Sequence, residues 1–149
     1  MRITKFSVAA VTALTVGTLL AAVTPANAAP TSLRNRATNF CLDSNAGGFV
    51  YTSVCQSGNK WQQWDVTYDS RFDNWGVRNV ESGRCLSPYG DKLAADPCWT
   101  GTNWHMQRWD RVGERFKSSQ DTDWCLDSNG NKDAYLFKCN NSNYQNWLM

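Results

Sequence analysis

Apolar and polar positions along this chain come in short alternating bursts rather than long stripes. The segments "GFVYTSVC" (48–55), "WGVRNV" (75–80) and "AYLFKC" (134–139) are brief and rich in β-branched or aromatic residues. Turn clusters punctuate them: Asp43-Ser44-Asn45 with Gly47-Gly48, Gln56-Ser57-Gly58-Asn59, Ser87-Pro88-Tyr89-Gly90 and Ser128-Asn129-Gly130-Asn131. Short strand-forming runs separated by Gly, Asn, Asp, Ser and Pro predict an all-β domain. Beyond residue 28 no window sustains the i, i+3, i+4, i+7 apolar spacing of an amphipathic helix.

The first 28 residues have a different pattern. Arg2 and Lys5 precede a mostly small, apolar stretch from Phe6 to Val23, and Ala26-Asn27-Ala28 offers an A-x-A cleavage site. That order of features predicts a secretory signal removed after Ala28. The 18 residues of this stretch reach only the lower limit for a membrane anchor, and Thr and Gly interrupt its apolar run. The expected product is an extracellular domain over 29–149 without a membrane span, large enough to build its own core.

Within that domain a triplication is visible. The cysteines fall in pairs, Cys41/Cys55, Cys85/Cys98 and Cys125/Cys139, each followed by a Gln-x-Trp tripeptide. The tripeptides are Gln62-Gln63-Trp64, Gln107-Arg108-Trp109 and Gln145-Asn146-Trp147. A self-similar unit of roughly 40 residues is one supersecondary piece that buries its apolar face only against its neighbours. The units run over about 33–71, 76–112 and 115–149. An open stack of repeats requires polar caps, and the three units leave no residues for them, which points to a closed threefold body. In an exported protein the six thiols are expected as disulfides. Similar units close similar loops, giving the pairs Cys41–Cys55, Cys85–Cys98 and Cys125–Cys139. Each loop is of a length whose closure contributes about 3 kcal/mol.

Charge narrows the partners. The chain has 15 basic and 13 acidic residues, and loss of Arg2 and Lys5 with the signal leaves the remainder balanced. Nucleic acid binding requires clustered cations to release counterions, and no Lys/Arg run is present. Zinc is disfavoured because His105 is the single histidine and no CxxC occurs. Asp127, Asn129, Asn131 and Asp133 alternate like a calcium loop. Lys132 and Lys138, however, occupy the positions that require glycine and glutamate. No metal or other cofactor is expected.

Cysteine-bracketed units ending in Gln-x-Trp, three to a chain, resemble the ricin B-type lectin domains, and the likeness covers Leu33 to Met149. It implies a β-trefoil, an all-β fold of three repeats, each here with an internal disulfide. The stretches "LDSNAGGFVYTSVCQSGNKWQQW" (42–64) and "LDSNGNKDAYLFKCNNSNYQNW" (126–147) are similar to the repeats of the actinohivin-like lectins of actinomycetes. That narrower resemblance implies recognition of α-1,2-linked mannose on high-mannose glycans, one pocket per repeat.

A pocket for a neutral sugar needs a carboxylate to accept vicinal hydroxyls, an aromatic face for the C–H patch and an amide to fix orientation. By position the resemblance assigns this set in the third repeat to Asp127, Tyr135, Phe137, Asn140 and Tyr144, with Gln145 contacting Asp127. The first repeat carries a partial set, Asp43, Tyr51, Trp61 and Gln62, with Ser53 in place of the apolar platform and Gln56 in place of the asparagine. In the second, Ser87, Ala94 and Met106 replace the aspartate and both tyrosines, so that repeat is read as structural. The tryptophans Trp64, Trp109 and Trp147 are expected in the core.

Catalysis is not expected. Glycoside hydrolysis takes two carboxylates across one bond, and the two glutamates, Glu81 and Glu114, lie outside the repeated motif. The function implied is thus a secreted glycan-binding lectin without enzymatic activity. The alternatives are a galactose-type lectin, a module that docks on cell-wall polysaccharide, and a protease-inhibitor or protein-binding scaffold.

Overall fold

The computed structural model describes residues 29–100 and 106–149; the predicted signal (1–28) and His105 lie outside the described residues. Half of these residues lie in strands: β1 (Thr31–Ser32), β2 (Arg34–Asn35), β3 (Phe40–Ser44), β4 (Val50–Val54), β5 (Gln63–Asp69), β6 (Asn74–Asn79), β7 (Cys85–Tyr89), β8 (Lys92–Asp96), β9 (Arg108–Val112), β10 (Arg115–Ser118), β11 (Trp124–Ser128), β12 (Ala134–Lys138) and β13 (Trp147–Leu148). Single 3-10 turns over Lys60–Gln62 and Asn143–Gln145 lead into the tripeptide tryptophans.

The strands pair in two kinds of hairpin, each present three times. β3–β4, β7–β8 and β11–β12 are the disulfide-bearing hairpins. β5–β6 and β9–β10 are the second kind, and the chain ends supply the third copy by pairing β13 with β2. The register is the same in all three: Trp64 opposite Asn79, Trp109 opposite Ser118, and Trp147 opposite Asn35. Closing the ring through the ends gives the closed threefold body the triplication predicts, and it is the β-trefoil the family resemblance implies. The bridges are the three within-repeat pairs, each with a Cα–Cα separation of 5.0 Å.

The core repeats by threes as well. Trp64, Trp109 and Trp147 are fully buried among Leu33, Leu42, Val77, Leu86, Phe116 and Leu126. A buried indole needs an acceptor for its N–H. Each finds the carbonyl of the leucine that follows the first cysteine of its own repeat: Leu42 at 3.0 Å, Leu86 at 3.2 Å and Leu126 at 3.0 Å.

The disulfide-bearing hairpins interlock through their backbones. Thr52, Ala95 and Leu136 each donate an amide to the next hairpin loop, at Lys132 O (2.8 Å), Gly48 O (2.8 Å) and Asp91 O (2.9 Å). Each loop turns through a left-handed residue, Gly48, Gly90 or Lys132. At Gly48 an added Cβ would lie 2.7 Å from Ala95 O, whereas at Gly90 it meets nothing among the described residues within 4 Å. Gly48→Ala is therefore expected to cost about 2–3 kcal/mol, against about 1 kcal/mol for Gly90→Ala. Paired urea melts of the two variants check the order.

One sequence reading is corrected. The clusters at Asp43-Ser44, Ser87-Pro88-Tyr89 and Ser128 are not wholly turn, because these residues end strands β3, β7 and β11. Pro88 fits there because its missing N–H interrupts a single rung near the strand end. Sequence divergence also hides one structural equivalence. Asn35 and Asn79 each donate a side-chain amide to the carbonyl two residues before the tripeptide's middle position, Tyr144 O (2.7 Å) and Trp61 O (2.8 Å). Ser118 is too short for this, and Gln120 reaches the equivalent Met106 O instead.

Candidate functional site

In the third repeat the β11–β12 register sets Asp127 directly opposite Tyr135 and Cys125 opposite Phe137. Tyr135 and Phe137, two apart on a strand, share the face toward Asp127. The chain then passes through Asn140 and Ser142 into the 3-10 turn that carries Tyr144. Asp127, Ser128, Asn129, Tyr135, Phe137, Asn140, Ser142 and Tyr144 surround an open depression of about 290 Å³. Phe137 (53% exposed) and Tyr144 (45%) form its uncovered apolar walls.

Asp127 sits at the floor, 4% exposed. Its Oδ2 accepts from Gln145 Nε2 at 2.8 Å and its Oδ1 from the Ser128 amide at 2.7 Å. Burial pushes its pKa above the ordinary carboxylate value, while the bonds from Gln145 and Ser128 pull partly the other way. Burial also raises Tyr135, with the Asp127 charge adding to it. A carboxylate with fixed orientation and spare lone pairs beneath two aromatic rings can accept hydroxyl hydrogen bonds while the rings cover C–H groups.

Gln145 is fully buried and does not line the depression. It clamps three segments at once: Nε2 donates to Asp127 Oδ2 and Lys138 O (2.9 Å), and Oε1 accepts from the Asn140 amide (2.7 Å). Gln62 does the same in the first repeat, to Asp43 Oδ2 (2.9 Å), Val54 O (3.0 Å) and from the Gln56 amide (2.8 Å). Gln62, grouped with the first-repeat pocket, and Gln145, expected against Asp127, both lie buried beneath an aspartate and orient it rather than facing the depression. Gln107 makes the same three bonds, to Ser87 Oγ (2.8 Å), to Pro97 O (3.1 Å) and from the Trp99 amide (2.7 Å). The glutamine persists without an aspartate because two of its three bonds are to backbone, and a serine hydroxyl accepts the third.

The first repeat repeats the pairing of Asp43 with Tyr51. Among the described residues Asp43 Oδ1 is buried without a hydrogen-bond partner, unlike Asp127 Oδ1. Ser53 occupies the place of Phe137, opposite Cys41, so the apolar wall is missing, while Trp61 stays half-buried beside Gln62. In the second repeat Asp96 holds that place, opposite Cys85, and its carboxylate accepts from Tyr89 Oη at 2.7 Å.

Ser128, Asn129 and Ser142 were not anticipated as lining residues. The Asp-Ser-Asn repetition at 43–45 and 127–129 was the available signal, but it reads equally as turn chemistry. Asn129 indeed serves the turn: Oδ1 accepts from the Asn131 (2.9 Å) and Asp133 (3.2 Å) amides, and Nδ2 donates to Asp133 Oδ2 (2.9 Å). These bonds account for the calcium-like alternation.

The family profile of the ricin-type beta-trefoil lectin domain matches residues 29–147. The chain belongs to the ricin-type β-trefoil lectin domain family. Solved structures with the same fold include "Structure and mode of action of a mosquitocidal holotoxin" (23% identity, TM-score 0.68), of which 78% of this chain matches only 16%. The designed three-fold symmetric protein ThreeFoil (18%, TM-score 0.63) matches over 78% of this chain and 94% of its own. The earthworm R-type lectin C-half in complex with GalNAc (16%, TM-score 0.61) matches with the same coverage of both chains. No curated protein matches by sequence. Membership makes this a carbohydrate-binding module by family. Among the described residues no helix is long and apolar enough to cross a membrane.

Proposed function

We propose that this ricin-type domain is a secreted, non-enzymatic lectin whose third-repeat depression binds a terminal hexose of the mannose type, with α-1,2-linked mannose on high-mannose glycans as the preferred ligand. The observation that carries the reading is the convergence of Asp127, Tyr135, Phe137, Asn140 and Tyr144 on one open depression above a buried glutamine clamp. Asp127 accepts two vicinal hydroxyls, Asn140 fixes the ring's orientation, and Tyr135, Phe137 and Tyr144 cover its apolar face. The likeness of the first and third repeats to mannose-binding repeats supports the choice of sugar, with Asp43, Tyr51 and Trp61 as an altered second cradle. A glycan array on the signal-cleaved, disulfide-intact protein tests it: high-mannose glycans should be retained above galactose-terminated ones. Preferential retention of galactose or GalNAc, the sugar in the earthworm lectin complex, would replace mannose with a galactose-type ligand in the same depression.

The raised pKa of Asp127 has a consequence for this reading. Accepting two hydroxyls requires the ionised carboxylate, and a pKa raised by burial means that protonation begins at higher pH than for a free aspartate. Glycan binding is expected to fall as pH drops, with a midpoint above the ordinary aspartate value of about 3.9. Retention measured across a pH series checks it; a midpoint at or below the free-aspartate value would contradict the assignment.

A further inference from the structure

We infer that a second site, unrelated to the repeat cradles, binds the carboxylate of an acidic saccharide in the cavity between strands β5, β6 and β9. This cavity measures about 550 Å³, and its lining includes Asp65, Thr67, Gly76, Arg78, Gly83 and Arg108. It shares no residue with the third-repeat depression. Small-molecule sites occupy about 300–1,000 Å³, so it is large enough for a sugar ring and too large for a bare inorganic anion to fill.

Two guanidiniums define its electrostatics. Arg78 lies flat along Gly83, donating Nε to Gly83 O at 2.8 Å, and an added Cβ at Gly83 would come within 3.0 Å of Arg78 Nη2. The Arg78 Nη groups donate to no atom among the described residues. Arg108 crosses the floor over Gly76, where a Cβ would sit 2.8 Å from its Nη1, so the glycine makes room for it. Arg108 also lies 3.7 Å from Asp69, whose carboxylate is already held by Arg71 at 2.8 Å. The planar fork of Arg78, whose Nη donors are unused among the described residues, is the group best matched to a carboxylate.

Asp65 makes the site selective. It stands opposite Arg78 in the β5–β6 register, yet forms no ion pair among the described residues. Its negative charge disfavours a dianion such as phosphate or sulfate. Beside Thr67 it offers acceptors for ring hydroxyls, which are neutral donors. One carboxylate and several hydroxyls on one ring describe a uronic acid residue. The wall formed by the Cys85–Cys98 bridge supplies an apolar surface for the ring.

The test titrates the ¹⁵N-labelled, disulfide-intact protein with glucuronate, methyl glucoside and sulfate, following the amides of Thr67, Gly76 and Gly83. Glucuronate should shift these amides in a saturable way that weakens with added salt, and methyl glucoside should leave them unmoved. Sulfate should act far more weakly than glucuronate. Arg78→Gln, at an exposed position, should weaken glucuronate on the order of tenfold while leaving the Asn140 amide and the tryptophan indole signals in place. Arg78→Lys keeps the charge without the fork and should fall between. No glucuronate shift, an equal response to sulfate, or full binding by Arg78→Gln would each overturn the proposal. None of these outcomes involves Asp127, so failure here leaves the lectin reading intact.

Discussion

Trp147→Ala is expected to lower the unfolding free energy by about 3–5 kcal/mol, the cost of emptying a large, fully buried aromatic site. The loss has two parts. The indole belongs to the same buried core cluster as Leu33, Leu126 and Trp64, so truncation leaves a void that close-packed neighbours fill only partly. Removing its N–H also strips a donor from Leu126 O. Position adds to the effect, because Trp147 lies in β13, which joins the end of the chain to its beginning through Asn35. Trp75→Ala provides the internal comparison: Trp75 is only half-buried and packs against Tyr68 with ring centroids 5.2 Å apart. It should cost clearly less. Guanidinium melts of both variants, with disulfides intact, give the answer, and equal losses would mean that the tripeptide tryptophans are not the threefold keystones they are described to be.

Asp127→Ala is expected to remove sugar binding by the third repeat without unfolding the domain. A single hexose pocket is weak to begin with. About 12 non-hydrogen atoms at about 0.3 kcal/mol each supply about 3.6 kcal/mol, which is roughly millimolar. Hydrogen bonds to a charged group are worth about 1.5–3 kcal/mol, so their loss weakens binding by ten- to a hundredfold and takes it out of the measurable range. Stability should change little. Desolvation of Asp127 opposes ionised burial, and Gln145 keeps its bonds to Lys138 O and the Asn140 amide when the carboxylate is gone. Multivalent glycans would keep some avidity only if the Asp43 cradle also engages them. Asp43→Ala in the same background separates the two contributions.

Much of the fold is legible in the chain because triplication repeats each constraint. Any one Gln-x-Trp could be chance, but three in phase with three cysteine pairs fix the hairpin that each bridge staples and the indole that each core layer receives. The strands β9 and β10 were harder to see. "RWDRV" and "ERFKS" show one apolar inward residue amid charges, and their pairing is set by Trp109 opposite Ser118 rather than by a hydrophobic run. The closing pair β13–β2 is a contact between chain ends and has no local signature at all. At the site, Asp127, Tyr135, Phe137, Asn140 and Tyr144 came from positions matched through the family resemblance, and these five line one depression. Matched positions could not separate a glutamine that touches ligand from one that holds an aspartate, since both need an amide at the same place. The Arg78–Arg108 cavity was invisible for a different reason: its members come from three strands, and its floor is a glycine.

The most direct test of the central claim is a titration of the disulfide-intact protein with α-1,2-mannobiose, read by the backbone amides around the third repeat. The account predicts saturable shifts at Asp127, Ser128, Asn140 and Tyr144 that vanish in Asp127→Asn, while the tryptophan indole signals stay unchanged. Undiminished binding by Asp127→Asn, or shifts confined to other parts of the molecule, would contradict it.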